Sequence, residues 1–461
     1  MKEGIAGTAR IDVTPDWPVM LAGFGQRTSA STGIHDRIFA KALYLSNGDD
    51  RLLIITTDLL CIPAPLARAV IAALGPLTGL TPDQICVCAS HTHSAPVPVD
   101  AGDGAIGIAR YAPFLRSALV DVGAAAIAAA RPCRLRSGVG EVDLFLNRRT
   151  RGNPNIVDPR VAVLAADDAS SGAPVAVLFG VGCHPVTMGW DNMQISADFP
   201  GCAQRAIEAA LPGVNALFFN TTEGNVIPRT SPNLDALDPR GYCGGGFGNS
   251  VNVGGRIADE ALRVREASLP REALTLNSRR IDLQIMPNTA GLDAAAAANG
   301  LAEARSTLRE FLGSDFETSV APAHLWSAAS RHVIDHDLTE NEMRRLMIGC
   351  CLYLGLSQRL KRGAAPKPVD VPFMVMRIND LELLALPGEV LVEVGQEWSR
   401  RTGSRTAFVV GLANAHLRYL PRAAHFAEPS SELRYETVTA GLEPNGIERV
   451  LDAAVQVRAA L

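Results

Sequence analysis

Short apolar, β-branched runs recur along this chain and alternate with alanine-rich stretches whose apolar residues fall at helical spacing. The runs at 52–56, 85–89, 161–165, 175–180, 216–220, 381–386 and 407–411 read as strands. The stretches at 63–74, 113–130, 201–210 and 390–402 read as helices, as do 290–312 and 340–362, which together predict a helical insertion spanning about 270–370. Strands alternating with helices predict an α/β fold, with a mixed β-sheet core flanked by helices. No fixed-period repeat and no low-complexity linker interrupts the pattern, so residues 1–461 are expected to form a single domain.

Composition narrows the class of function. The chain has 461 residues, 47% hydrophobic and 20% charged, which is ample for a large core. A net charge of -5 with no Lys/Arg run leaves no footprint for nucleic acid. Residues 1–15 lack the apolar core of a secretory leader, and no uninterrupted apolar run approaches about 18 residues, so no membrane span and a cytoplasmic location are expected. Nine cysteines, mostly in apolar runs and without a C-x-x-C pair, read as reduced, packed thiols. The glycine-rich stretch 241–248 lacks the Gly-Lys-Ser/Thr ending of a phosphate loop and reads as a flexible loop. Homo-oligomerisation is left open.

The chemistry gathers where the predicted strands end. His91 and His93 follow the 85–89 run, and on an extended backbone residues two apart face one way, about 7 Å apart at Cα. A shared face carrying two imidazoles suggests a metal, although any two strand histidines would produce it. His184 follows the 175–180 run, Glu223 and Asn225 the 216–220 run, Glu389 the 381–386 run, and Tyr419 the 407–411 run. In open α/β sheets the ligand crevice lies at such strand ends. Read by residue type alone, His184 before Pro185 suits a satisfied loop histidine, Glu389 a helix N-terminus, and Tyr419 a core ring with a wet hydroxyl. His35, Asp36 and Arg37 read as an ion-paired corner, and Asp58 and Asp198 as groups that support a site by hydrogen bonding.

Ala89-Ser-His-Thr-His-Ser-Ala-Pro96 resembles the signature of the neutral/alkaline non-lysosomal ceramidases, zinc amidases that cleave the N-acyl bond of ceramide. The opening stretch 7–15 resembles that family's start, and residues 33–42 resemble its second block. Leu386-Pro-Gly-Glu389 and Gly411-Leu-Ala-Asn414 leading to Tyr419 match later ones, so the resemblance runs from about residue 5 to 440. It implies a ceramidase-like catalytic domain with Zn2+ held by His91, His184, Glu389 and Tyr419, a set of nitrogen and oxygen ligands suited to a catalytic site. It further implies that His93 handles a proton, and that Arg148 and Tyr435 face the developing oxyanion.

Two departures shape the expected reaction. Where larger family members carry a serine assigned as nucleophile, this chain has Ile227, which can neither attack nor hydrogen-bond. Only a short stretch follows Tyr435, so the C-terminal β-sandwich of those members is not expected. The sequence therefore predicts a zinc-dependent hydrolase in which metal-activated water cleaves an amide bond in a small-molecule substrate other than ceramide. Cleavage of an ester, lactone or cyclic amide, and a noncatalytic metal-binding homologue, stand as alternatives.

Overall fold

The structure, a computed structural model, describes residues 3–98, 106–149, 155–231, 238–240, 245–288, 294–362, 366–428 and 434–461. Eight strands form one mixed sheet, in spatial order Asn215–Asn220, Pro174–Val181, Arg160–Asp168, Arg131–Glu141, Ile5–Asp12, Phe39–Ser46, Arg51–Thr57 and Ile85–Ala89. The pair at each edge is parallel and the pairs between are antiparallel. A second sheet, Leu276–Ile285, Val369–Ile378, Leu381–Ala385 and Ala407–Val410, ends on a parallel pair too.

The apolar runs are continuous because both faces of each sheet are covered. Along Ile85–Ala89, Ile85, Val87 and Ala89 point into a cluster with helices Ala64–Thr78 and Ile108–Ala128, while Cys86 and Cys88 point the other way. There they meet Met374, Met376, Leu383, Phe408 and Val410 of the second sheet. The two sheets thus stack face to face. Helices Asp198–Ala210 and Phe247–Ala267 complete the cover on the first sheet, and Val392–Thr402 and Gly446–Ala460 cover the second. The expected α/β class with a mixed sheet holds, with two large sheets in place of one and three two-stranded ladders beside them among the described residues.

Several strands carry charge that hides them in the pattern. Lys41 interrupts Phe39–Ser46, yet it is buried, with Nζ 2.6 Å from Glu208 Oε1 and donating to the Ala216 carbonyl at 2.8 Å. Such a pair is tolerated inside because the cation is also bonded to a backbone carbonyl. In Leu276–Ile285 the charges of Arg279, Arg280 and Asp282 disguise a strand that pairs over its full length with Val369–Ile378. The helical insertion is accordingly narrower than 270–370. It comprises Ala294–Leu312, Phe316–Ser319, Leu325–Asp335 and Glu340–Arg362, with their own core around Leu308, Phe316, Leu325, Met343 and Leu346.

Helix Ile108–Ala128 is long and apolar enough, by length and composition, to cross a membrane, which a search for uninterrupted apolar runs overlooks. Here it lays Tyr111, Leu115, Leu119 and Val122 on the first sheet. Strand residue Gly7 admits the close approach, since a Cβ there would lie 2.1 Å from the Ala126 carbonyl oxygen. Among the described residues the cysteines are free thiols, most of them buried. Residues 241–244 of the glycine-rich stretch lie outside the described residues, and Gly246 caps helix Phe247–Ala267.

Asp198 opens its helix at φ 56 and accepts from Thr187 Oγ1 at 2.6 Å, tying down the loop that follows His184. Asp58 instead accepts from the Phe39 N–H and Gln204, so neither aspartate bonds a candidate ligand. Arg37 pairs with Asp12 at 2.6 Å and Asp36 with Arg205 at 3.1 Å, the ion-paired corner expected there.

Gly7→Ala should push the helix off the sheet and lower unfolding free energy by about 1–3 kcal/mol in a urea titration; an unchanged midpoint would show that the helix does not pack there. Burial raises the Asp198 carboxyl to about 6. The folded state then binds more protons than the unfolded one between about pH 4 and 6, so this group's contribution falls as pH rises through that window. Asp198→Asn should remove that fall, read as urea midpoints at pH 4.5 and 7; a pH profile identical to wild type contradicts it.

Candidate metal centre

Strand ends of both sheets deliver the side chains. Past Ile85–Ala89 the backbone turns left-handed at His91, φ 72, so the two histidines do not ride on an extended strand as their spacing suggests. The turn brings the rings together all the same, with centroids of His91 and His93 4.9 Å apart. His184 follows Pro174–Val181 and lies 4.7 Å, centroid to centroid, from His91. Glu389 and Tyr419 come from the second sheet's end, where Glu389–Val390 pairs in parallel with Tyr419–Leu420 and the two residues are direct partners. Partners in a parallel ladder project to the same side. All of the expected ligand residues therefore meet at one place.

The hydrogen bonds behind the rings set their chemistry. His91 Nδ1 donates to the Leu60 carbonyl at 2.8 Å, and His184 Nδ1 to the Glu223 carbonyl at 2.6 Å. A carbonyl only accepts, so each Nδ1 carries the proton and each Nε2 presents a lone pair. Glu389 Oε2 lies 3.5 Å from His91 Nε2 and 3.4 Å from His184 Nε2. Among the described residues, His184 Nε2 is buried without a hydrogen-bond partner. Tetrahedral bonds of about 2.1 Å put ligand atoms about 3.4 Å apart, so the spacing suits a cation held between them. Outward hydrogen bonds from Nδ1 are the usual support of a ligating histidine.

His93 Nε2 also lies 3.4 Å from His91 Nε2, and one ligand atom from each of His91, His93 and His184 falls within 4.8 Å of the others. These three form a possible metal-binding group. His93 differs from the other two in that its Nδ1 is buried without a partner, with the ring packed on Gly23 and edge-on to Phe24 at 4.8 Å.

Burial and mutual repulsion keep the cluster ready for a cation. Burial, with Arg148 nearby, pushes His184 down to about 3, and burial with His91 and His184 holds His93 well below the ordinary imidazole range. Burial alone would raise Glu389, but the charge and hydrogen bonding of its surroundings, His416 Nε2 on its other oxygen included, outweigh it and hold the carboxyl well below its usual range. Neutral imidazoles and an ionised carboxylate are the protonation states that bind metal. Burial, reinforced by Glu389, raises the Tyr419 phenol well above its ordinary value.

A second ring of groups surrounds these. Arg148 is buried and donates from Nη2 to Tyr419 Oη and to the Gly224 carbonyl, each at 2.9 Å, with Nε 3.5 Å from Glu436. The Tyr435 ring stands edge-on to Tyr419 at 5.4 Å. Ile227 is fully buried, paired with Leu146 and packed near Val186. Sequence reasoning overlooked His416, whose Nε2 lies 3.2 Å from Glu389 Oε1 and whose imidazole, despite burial, is held up to about 10 by Cys61 and Glu389. Its signal was available in the loop after Ala407–Val410, three residues before Tyr419. Glu223 is buried with neither carboxylate oxygen hydrogen-bonded, and burial raises its carboxyl well above the usual range.

The family model for neutral/alkaline non-lysosomal ceramidase, N-terminal, matches residues 5–108. The neutral ceramidase of Pseudomonas aeruginosa is 26% identical over 489 aligned positions, covering 92% of this chain and 68% of that protein. The crystal structure of neutral ceramidase from the same organism superposes with a TM-score of 0.70 at 22% identity, covering all of this chain and 75% of that one. A ceramidase complexed with C2 gives the same score at 20% identity. The opening block, the alignment over nearly the whole chain and the shared fold agree: the chain is similar to the neutral/alkaline ceramidases in sequence and in fold.

Proposed function

We propose that the protein is a zinc-dependent hydrolase that cleaves an N-acyl amide bond in a small-molecule substrate other than ceramide. The observation that carries this reading is the pair of His91 and His184 Nε2 lone pairs facing the Glu389 carboxylate at 3.5 and 3.4 Å. Oxygen and nitrogen donors without a thiolate suit a catalytic zinc, and Tyr419, the ladder partner of Glu389, completes the set. When bound, the metal supplies Lewis acidity and makes a water molecule acidic enough to ionise near neutral pH.

The chain's own groups account for the rest. His91 and His184 are held in register by their Nδ1 bonds to backbone carbonyls, and His416 holds Glu389 from its other oxygen. His93, without a carbonyl behind its Nδ1, is free to take and return a proton at Nε2 as the amine leaves. Arg148, fixed by Gly224 and Glu436, presents a cation beside Tyr419, and with Tyr435 it favours negative charge developing on the acyl oxygen. Ile227 offers no hydroxyl where larger members carry their serine, which favours direct attack by water and argues against ceramide as the substrate.

Protein purified without chelator should carry close to one zinc per chain by elemental analysis, and His184→Ala should lose it; metal-free, active wild-type protein would sink the proposal. A panel of N-acyl amines, esters, lactones and cyclic amides should show fastest turnover on the open amides. His416→Ala should leave the fold intact but weaken zinc binding about 10–100-fold, since Glu389 loses its orienting partner. Unchanged affinity in a chelator competition would exclude that role.

A further inference from the structure

A cleft of about 320 Å³ opens beside the metal centre, between the 26–29 loop, the 190–193 loop and helix Leu325–Asp335 of the insertion. The helix lines it with Ser327, Ser330, Arg331 and Ile334, which recur at i, i+3, i+4 and i+7 and so share one face. Arg27 forms the opposite wall. It is buried, and its guanidinium donates to the carbonyls of Ala22, His93, Gly189 and Trp190.

Three features of this cleft point to a missing anion. Ser330 is buried with an Oγ that has no partner, a costly arrangement unless a ligand satisfies it. Arg331, exposed at the cleft, makes no hydrogen bond or ion pair among the described residues. Against the guanidinium groups of Arg27 and Arg331 the cleft sets one carboxylate, Asp191, leaving it net positive. The cleft also adjoins the chemistry, because Arg27 donates to the His93 carbonyl and stacks at 4.8 Å over Phe24, the ring that abuts His93.

We propose that this cleft is a subsite for an anionic group, of the carboxylate or phosphate class, carried by the substrate at the end remote from the scissile bond. The proposal rests on the hydrolase reading above and adds the substrate's class: a compact, acidic N-acyl compound. Guanidinium and hydroxyl donors on one helix face match the oxygens of either anion, and a buried Ser330 hydroxyl rewards a group that enters fully. The insertion thereby acquires a task, selecting substrates by charge.

The test uses matched N-acyl amides that differ only in the remote group: carboxylate, phosphate monoester or neutral carboxamide. The wild-type enzyme should favour one of the anionic compounds by about tenfold in kcat/KM, chiefly through KM, and the two anionic arms identify which. Arg331→Ala should abolish that preference and leave the neutral compound's rate unchanged. Ser330→Ala should raise KM for the anionic compound alone while thermal stability holds or rises, which a structural serine would not allow. Equal KM values in the wild type, or a preference that survives Arg331→Ala, overturns the subsite while the hydrolase reading stands. If no compound is hydrolysed, the hydrolase reading fails, and calorimetric titration with the carboxylate compound still decides the subsite: Arg331→Ala should weaken binding about tenfold, and identical or absent binding in both proteins refutes it.

Discussion

Two imidazole lone pairs and a carboxylate, all buried and facing one another without a proton between them, form the constraint on which the rest of this molecule turns. Burying a carboxylate against two electron-rich nitrogens is costly unless a cation joins them. The protein enforces the arrangement from behind: backbone carbonyls of Leu60 and Glu223 take the Nδ1 protons, and His416 takes the other oxygen of Glu389. These bonds fix the orientation of both rings and keep each Nε2 turned toward Glu389. Its shape is prepared before anything binds.

The architecture explains how distant residues are held to that tolerance. His91, His184 and Glu389 each sit within four residues of the end of a strand whose two faces are both buried, and Tyr419 is held by pairing with Glu389, so the site is anchored to the cores of both sheets. The histidines follow strands of the eight-stranded sheet, and Glu389 and Tyr419 form a two-stranded ladder in the segments that follow strands of the four-stranded one. Stacking of the two sheets is therefore what assembles the site. The Asn414 side chain links them directly, its Oδ1 accepting from the Val87 N–H at 3.0 Å.

Much of this was legible in the chain because the runs that form these strands are apolar on both faces, and polar residues at their ends stand out. The bounds of Ile85–Ala89, Arg51–Thr57 and Leu381–Ala385 lie within a residue or so of what the pattern predicts. Strands such as Phe39–Ser46 and Leu276–Ile285 were hidden because their charges are neutralised by partners far away in sequence, Glu208 for Lys41 and Asp83 for Arg279. The pairing of His91 with His93 was expected from strand alternation, yet it arises from a left-handed turn at His91. His416 escaped notice because its role exists only through Glu389, and the cleft at Arg27 because it needs a helix about 300 residues further along the chain.

The likeness to the ceramidases and the helical insertion pull in different directions. In the proposed reading His91, His184, Glu389 and Tyr419, with Arg148 and Tyr435, supply the means of polarising an acyl bond, while Ile227 and the polar face of Leu325–Asp335 alter what reaches it. The central claim is the ligand set, and anomalous diffraction at the zinc edge from crystals of the protein tests it most directly. The account predicts one peak within about 2.0–2.2 Å of His91 Nε2, His184 Nε2, a Glu389 oxygen and Tyr419 Oη, with His93 outside that distance. A peak bonded to His93 and remote from Glu389 and Tyr419, or no peak at all, would contradict it.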